Sequence, residues 1–283
     1  MSTILVTGAS GQLGQLVLKA LENSPHTVIA ASREPSKLNT SFATRKADFD
    51  QPDTLVETFA GVDRVLIIST DALAVPGQRL KQHTAAIEAA KIVGVQHLVY
   101  TSLPNAEPGN KISFAPDHYG TEQAIKASGI AHTILRNNWY IENLMMSLPH
   151  ALESGQFYTS APEGRVAYVA RQDAARAAAA ALSDAPGGTF TVTGPEALTY
   201  GDVVALANDI TGKSVNLIPL TDEQFGGGLK AAGLPDFVAD MLTSAETAIR
   251  AGQLDGVTDT LQTLTGQAPK TVREVLTALL KAK

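Results

Sequence analysis

Three glycines stand at Gly8, Gly11 and Gly14, directly after the apolar run Ile4-Leu5-Val6 and directly before an amphipathic stretch that begins at Leu13. This G-x-x-G-x-x-G spacing restricts the backbone severely. A chain that leaves a buried strand and enters a helix within a few residues needs a tight turn, which Gly8 permits. Gly11 keeps the backbone bare where a phosphate can approach. Gly14 removes the Cβ that would hold the helix away from the strand. The helix then offers unpaired N–H groups and the positive end of its dipole at the same place. Ser10, Gln12 and Leu13 therefore join the three glycines as candidate binding residues for a dinucleotide pyrophosphate. The spacing acquires its meaning from lying between a strand and a helix.

The pattern after the turn repeats the same alternation. Short apolar runs at Val28–Ala31, Arg64–Ile68, His97–Tyr100 and His132–Leu135 read as strands, with a short one at Thr44–Lys46. Helical patterns lie between them at Leu13–Leu21, Asp53–Phe59, Leu80–Val93 and Thr121–Ser128, and Gly94 and Gly129 suit the C′ position of two of them. Continuous apolar strands such as Val65-Leu66-Ile67-Ile68 fit a parallel sheet covered on both faces. Beyond Trp139 the pattern loosens. Arg171–Leu182 is an alanine-rich helix, Thr189–Val192 a further strand, and Pro235–Ala251 and Val272–Leu280 amphipathic helices. Thr199 and Thr221 read as N-caps, and Gly226-Gly227-Gly228 as a flexible point or helix interruption. The expected fold is α/β: a Rossmann-type doubly wound, mostly parallel sheet with a smaller, mainly helical C-terminal substrate lobe. Residues 1–150 are expected to form the NAD(P)-binding domain. Residues 151–283 are expected to complete the sheet and add the lobe, without folding independently.

Composition narrows the function. The 283 residues are 44% hydrophobic and 18% charged, the balance of a globular protein. Cysteine is absent, which excludes disulfides, thiolate nucleophiles and cysteine-ligated metals. No clustered His/Asp/Glu spacing suggests a metal, so none is expected. The net charge of −6 and the lack of a dense basic run argue against nucleic acid. No apolar run suits a membrane span, and the turn begins too early for a signal peptide, so a cytoplasmic location is expected.

The end of the second strand chooses the cofactor. An acidic residue there would accept the 2′-OH of NAD, and an arginine would hold the 2′-phosphate of NADP. Arg33 stands 19 residues after Gly14, with Ser32 before it and Lys37 nearby. NADPH is the expected cofactor, with NADH weaker. Glu34, one place later, would serve NAD if the strand ended differently.

Several segments resemble the NmrA-like branch of atypical short-chain dehydrogenases, and within it NADPH:quinone and triphenylmethane dye reductases. They are Val6 to Gly14, Ser32 to Lys37, Asp48-Phe49, Ala90 to Val95, Tyr100 to Leu103 and, most specifically, Leu135-Arg136-Asn137-Asn138-Trp139-Tyr140-Ile141-Glu142-Asn143. The resemblance implies that Asp48 and Phe49 sit by the adenine. It implies that Ser69, Thr70, Thr101, Ser102 and Leu103 border the nicotinamide half, and that Asn137, Asn138 and Tyr140 line the substrate side. Trp139 reads equally as a substrate wall or a core aromatic, as does Tyr140.

Ordinary members of the wider group use Tyr-x-x-x-Lys, whose cation lowers the tyrosine pKa. Here the stretch is His118-Tyr119-Gly120-Thr121-Glu122-Gln123, with Gln123 in the lysine place. Alcohol–ketone chemistry is therefore disfavoured, whereas an electrophilic quinone needs mainly positioning against the nicotinamide. The catalytic candidates are Asn137 and Tyr119, as hydrogen-bond donors to a developing oxyanion, and His118. His118 and Tyr119 have equal readings as structural residues. Met145-Met146 reads as lobe packing, and Arg171 and Asp173 as helix capping or a local ion pair. The expected activity is NADPH-dependent reduction of a quinone or dye-like small molecule. The alternative is a non-catalytic NAD(P)-binding redox sensor acting through protein partners. A homodimer is left open.

Overall fold

The computed structural model describes residues 1–183 and 187–281. Strand β1 (Thr3–Val6) lies inside a seven-stranded sheet, and its Ile4, Leu5 and Val6 are fully buried. On one side it pairs with β2 (Thr27–Ser32), which pairs with β3 (Ala43–Lys46). On the other side follow β4 (Arg64–Ile67), β5 (His97–Ser102), β6 (Ala131–Asn137) and the late strand Gly188–Val192 (β9). The order is β3-β2-β1-β4-β5-β6-β9 and every pairing is parallel.

Alternation along the strands builds a core on each face. Ile4, Val6, Leu66, Val99 and Leu135 point to the face covered by α1 (Gln12–Ala20) and α6 (Arg171–Ser183). Leu5, Val65, Ile67, Leu98 and Ile134 point to the face covered by α2 (Pro52–Phe59), α3 (Gln78–Ile92) and α4 (Ala115–Ser128). The alanines of α6 are small enough for it to pack closely on α1 and the sheet, and Ala174, Ala177 and Ala178 are fully buried.

The remaining chain forms the lobe, with helices α5 (Leu148–Ser154), α7 (Tyr200–Thr211), α8 (Asp222–Ala231), α9 (Asp236–Arg250) and α11 (Val272–Lys281). Strand β7 (Gln156–Thr159) pairs in parallel with β11 (Asn216–Pro219), and β8 (Arg165–Val166) antiparallel with β10 (Leu198–Thr199). Helix α10 (Thr260–Thr265) returns to the α1–α6 face through Leu261. The lobe has its own core, including Leu144, Phe157, Val203 and Ile249, and Leu103 and Ile112 join it from the first half.

Thr199 and Thr221 each form a full capping box, with Asp202 and Gln224 respectively. The three glycines at 226–228 differ from expectation, because they continue α8 without interruption. Gly226 is buried, and a Cβ there would stand 3.0 Å from Thr243 Oγ1 on α9, so it serves close helix packing. Met146 also departs from the packing expected of it and is 66% exposed. Among the described residues no helix is long and apolar enough to cross a membrane.

Candidate functional site

All the parallel strands of the sheet end on one edge, and the segments that leave them there carry the candidate residues. In an open α/β sheet this edge is where ligands bind. The turn after β1 occupies it first. Gly8 has φ +63°, in the left-handed region, and its carbonyl accepts from Gly11 N–H at 3.0 Å. Ala9 N–H donates to Ala31 O at 3.0 Å, which ties the turn to the end of β2. Gly11 is the N-cap of α1, and no side chain caps the helix. Gly8, Ser10, Gly11 and Gln12 are exposed, whereas Leu13 and Gly14 are buried. The turn thus shows bare backbone and uncapped helix N–H groups to solvent, a surface that fits an anion.

Next to it, the end of β2 carries Ser32 and Arg33. Ser32 is buried and its Oγ has no hydrogen-bond partner among the described residues. Arg33 is exposed and makes no ion pair there. Lys37 does make one, with Glu34, which holds the Glu34 carboxyl below its ordinary range. Glu34 and Lys37 therefore occupy each other, and Arg33 is left as the uncommitted charge. Asp48 and Phe49 follow β3 and are half-buried; Asp48 accepts from Asp50 N–H at 3.1 Å, and Phe49 lies on the core.

The ends of β4 and β5 are bound together. Ser69 N–H donates to Thr101 Oγ1 at 2.9 Å, and Thr70 N–H to His83 Nε2 at 3.0 Å. Ser102 turns the other way. Its hydroxyl donates to Glu122 at 2.6 Å, and Glu122, fully buried, also accepts two bonds from Arg136 at 3.0 and 2.8 Å. Ser102 is committed to a buried ion pair, and Leu103 to the lobe core.

His118 belongs to a buried polar cluster that the sequence reading did not anticipate. Thr70 donates to His83 Nε2, so the His83 hydrogen is on Nδ1, which meets Thr121 Oγ1 at 2.9 Å. The Tyr100 hydroxyl is hydrogen-bonded to His118 Nδ1 at 2.8 Å. Arg79 completes the cluster with its guanidinium 5.2 Å from the Phe114 ring centre, and its Nε and Nη1 have no partner among the described residues. Burial, then the Arg79 charge, pushes His83 down to about 3 and His118 well below the ordinary histidine range. Both are neutral imidazoles. The cluster had a signal: the buried face of α3 runs back from Ala86 to Gln82 and His83 and then to Arg79, at helical spacing. Tyr119 is half-buried and has no hydrogen-bond partner among the described residues, and Gln123 is exposed.

The end of β6 gathers the last candidates. Asn138 spends its amide on backbone, donating to Leu254 O at 3.0 Å and accepting from Trp139 N–H at 2.7 Å. Trp139 is half-buried against the lobe core. Asn137 Nδ2 donates to the Tyr140 hydroxyl at 3.2 Å, while its Oδ1 is buried and unpaired. The Arg171 guanidinium lies 4.8 Å from the centre of the Tyr140 ring and donates to Gln12 Oε1 and to Asn143 Oδ1. Arg171 N–H meets both Glu142 oxygens at 3.0 Å, so Glu142 caps α6. The capping expected near Arg171 is there, but its side chain reaches across to the glycine turn. Asp173, fully buried, pairs with Arg176 at 2.8 Å as a local ion pair.

The doubly wound sheet and the exposed glycine turn at its strand-end edge define a Rossmann-type protein. The chain belongs to the NmrA-like family, which it matches over residues 1–261. It is 36% identical to quinone oxidoreductase 2 of Escherichia coli (strain K12), over 98% of each chain. It is 30% identical to the NAD(P)H azoreductase of Xenophilus azovorans, over 96% of each. Among solved structures, the NADPH complex of an Escherichia coli NADPH-dependent quinone oxidoreductase superposes with a TM-score of 0.92 at 35% identity, covering 98% of this chain and 99% of the other. The NADP(H) complex of the Citrobacter sp. triphenylmethane reductase gives 0.88 at 30% identity, covering 98% and 99%.

Proposed function

We propose that the protein is an NADPH-dependent oxidoreductase that transfers hydride to quinone-like or other electrophilic aromatic acceptors. The observation that carries this reading is the bare, uncapped glycine turn at Gly8–Gly14, in a chain similar along nearly its whole length to a quinone oxidoreductase solved with NADPH. An azoreductase and a triphenylmethane dye reductase among its relatives support the same acceptor class. Residues 1–150 supply most of the cofactor side. Residues 151–283 return α6 and β9 to the sheet and add the lobe that covers the acceptor.

The residues present fit the cofactor. Gly8, Ser10, Gly11, Gln12 and Leu13 would receive the pyrophosphate on backbone N–H groups, with Gly14 allowing the turn. Arg33 would hold the 2′-phosphate, and the unpartnered Ser32 hydroxyl lies beside it in sequence. Asp48 and Phe49 would flank the adenine, and Ser69, Thr70 and Thr101 the nicotinamide half. When bound, the reduced cofactor supplies the hydride.

The protein's part is orientation and hydrogen bonding. His118 is neutral and donates no imidazolium proton. Tyr119 has no hydrogen-bond partner among the described residues, and an exposed Gln123 stands in the place of the usual lysine. A site so furnished suits an acceptor whose reduced oxygen is a stabilised anion able to take its proton from water. The test is a screen of NADPH consumption against benzoquinones, naphthoquinones, azo dyes and triphenylmethane dyes. Turnover with none of them, despite tight NADPH binding, would favour a sensor that binds NAD(P) without reacting.

A further inference from the structure

Two polar functions at the end of β6 lack partners, and they belong to residues bonded to each other. Asn137 Nδ2 donates to the Tyr140 hydroxyl, which leaves the hydroxyl's own hydrogen without an acceptor among the described residues. Asn137 is 7% exposed, and its Oδ1 accepts no bond among the described residues. A buried amide carbonyl is costly to leave unpaired.

The chemistry of the missing partner can be specified. It must donate to Asn137 Oδ1, and it can accept from Tyr140. A quinone carbonyl or an azo nitrogen only accepts, so it cannot complete Asn137. A primary carboxamide presents an acceptor oxygen and an N–H donor side by side. We propose that Asn137 and Tyr140 grip the carboxamide of the nicotinamide ring, Asn137 Oδ1 accepting from its NH2 and the Tyr140 hydroxyl donating to its carbonyl oxygen. This rests on the cofactor assignment under the proposed function and changes the partner of both residues from acceptor to cofactor.

The surroundings hold the pair in place. Tyr140 is half-buried. The Arg171 guanidinium covers its ring and bonds to Gln12, the first residue of α1. Isolated bridge pairing between Tyr140 and Val169 fixes the backbone. The proposed carboxamide grip is therefore tied through one side chain to the turn that receives the pyrophosphate, so both ends of one ligand meet a connected set of groups.

The test compares binding of NADPH with that of its reduced 3-acetylpyridine analogue, in which a methyl group replaces the NH2. Fluorescence titration is done with the wild type, Asn137→Ala, Asn137→Asp and Tyr140→Phe, each checked for folding by thermal melting. The wild type is expected to prefer NADPH by roughly tenfold, the worth of one buried hydrogen bond. Asn137→Ala should abolish that preference, and Asn137→Asp, which keeps an acceptor oxygen, should retain it. Tyr140→Phe should weaken both ligands alike, because both keep the carbonyl. A wild type that binds both ligands equally overturns the proposal without any variant. So does an Asn137→Ala protein that keeps the full preference while its KM for benzoquinone rises. A wild type that binds no NADPH would instead overturn the cofactor assignment itself.

Discussion

The Cβ that Gly14 lacks would stand 2.3 Å from the carbonyl oxygen of Gly8 and 2.9 Å from Ala9 Cα. Both neighbours are backbone, so neither can swing aside. At Gly11 the corresponding Cβ meets only Gly8 O at 3.3 Å, the backbone is extended with φ −77°, and the residue is exposed. The two glycines therefore do different work. Gly14→Ala should lower stability by at least the roughly 1–3 kcal/mol of an overpacked core. Gly11→Val should keep the wild-type Tm and lose most NADPH affinity. Thermal melting and fluorescence titration of the two variants check this. Wild-type affinity in a folded Gly11→Val protein would take Gly11 out of the site.

Arg33 should decide between the two nicotinamide cofactors. Glu34, the residue that would favour NAD, is held by Lys37, while Arg33 is exposed and makes no ion pair among the described residues. Arg33→Ala should weaken NADPH roughly ten- to a hundredfold, as expected for losing a charge-assisted phosphate contact, and leave NADH almost unchanged. Kd values for both cofactors give the answer. An equal loss for the two would mean that the arginine does not meet the 2′-phosphate.

Tyr119→Phe should leave most quinone reduction intact. The hydroxyl has no hydrogen-bond partner among the described residues, so at most one hydrogen-bond donor is lost, about 1–3 kcal/mol in the barrier. Steady-state rates with a simple benzoquinone are the measurement. A loss of several thousandfold would make Tyr119 an essential acid and reopen alcohol–ketone chemistry.

The sheet was legible because its strands announce themselves locally. Val65-Leu66-Ile67-Ile68 is apolar throughout, and a strand covered on both faces has no other way to read. The short lobe strands β8 and β10 hold two residues each and have no pattern to find. The glycines at 226–228 have low helix propensity, yet α8 runs through them, and Gly226 sits where α8 approaches α9 closely. In the candidate site, the exposed glycine turn and the exposed Arg33 at the end of β2 could be located from spacing, since backbone geometry dictates where both fall. Side-chain direction could not. Ser102 ends β5, yet it faces Glu122, and Asn138 faces backbone. Arg171 and Gln12 are 159 residues apart, and only the packing of α6 against α1 makes them neighbours.

The buried histidines should make the fold acid-sensitive. His83 is surrounded by Arg79 from its own helix, Tyr100 from β5, and His118 and Thr121 from α4, with no carboxylate bonded to it among the described residues. Its folded pKa is about 3, against 6.5 for an unperturbed histidine. Between those values the unfolded chain binds a proton that the folded chain refuses. Stability is therefore complete above the upper value and falls as pH drops below it. At about pH 5 the loss from His83 alone should be roughly 2 kcal/mol, and His118 adds to it in the same direction. His83→Gln keeps one acceptor for Thr70 and one donor for Thr121 but carries no charge at any pH. Urea unfolding of the wild type and this variant between about pH 7 and pH 5 should show a shallower decline for the variant, by close to one proton's slope. Parallel curves would mean that His83 accepts its proton in the folded state, and that Arg79 does not keep the cluster neutral.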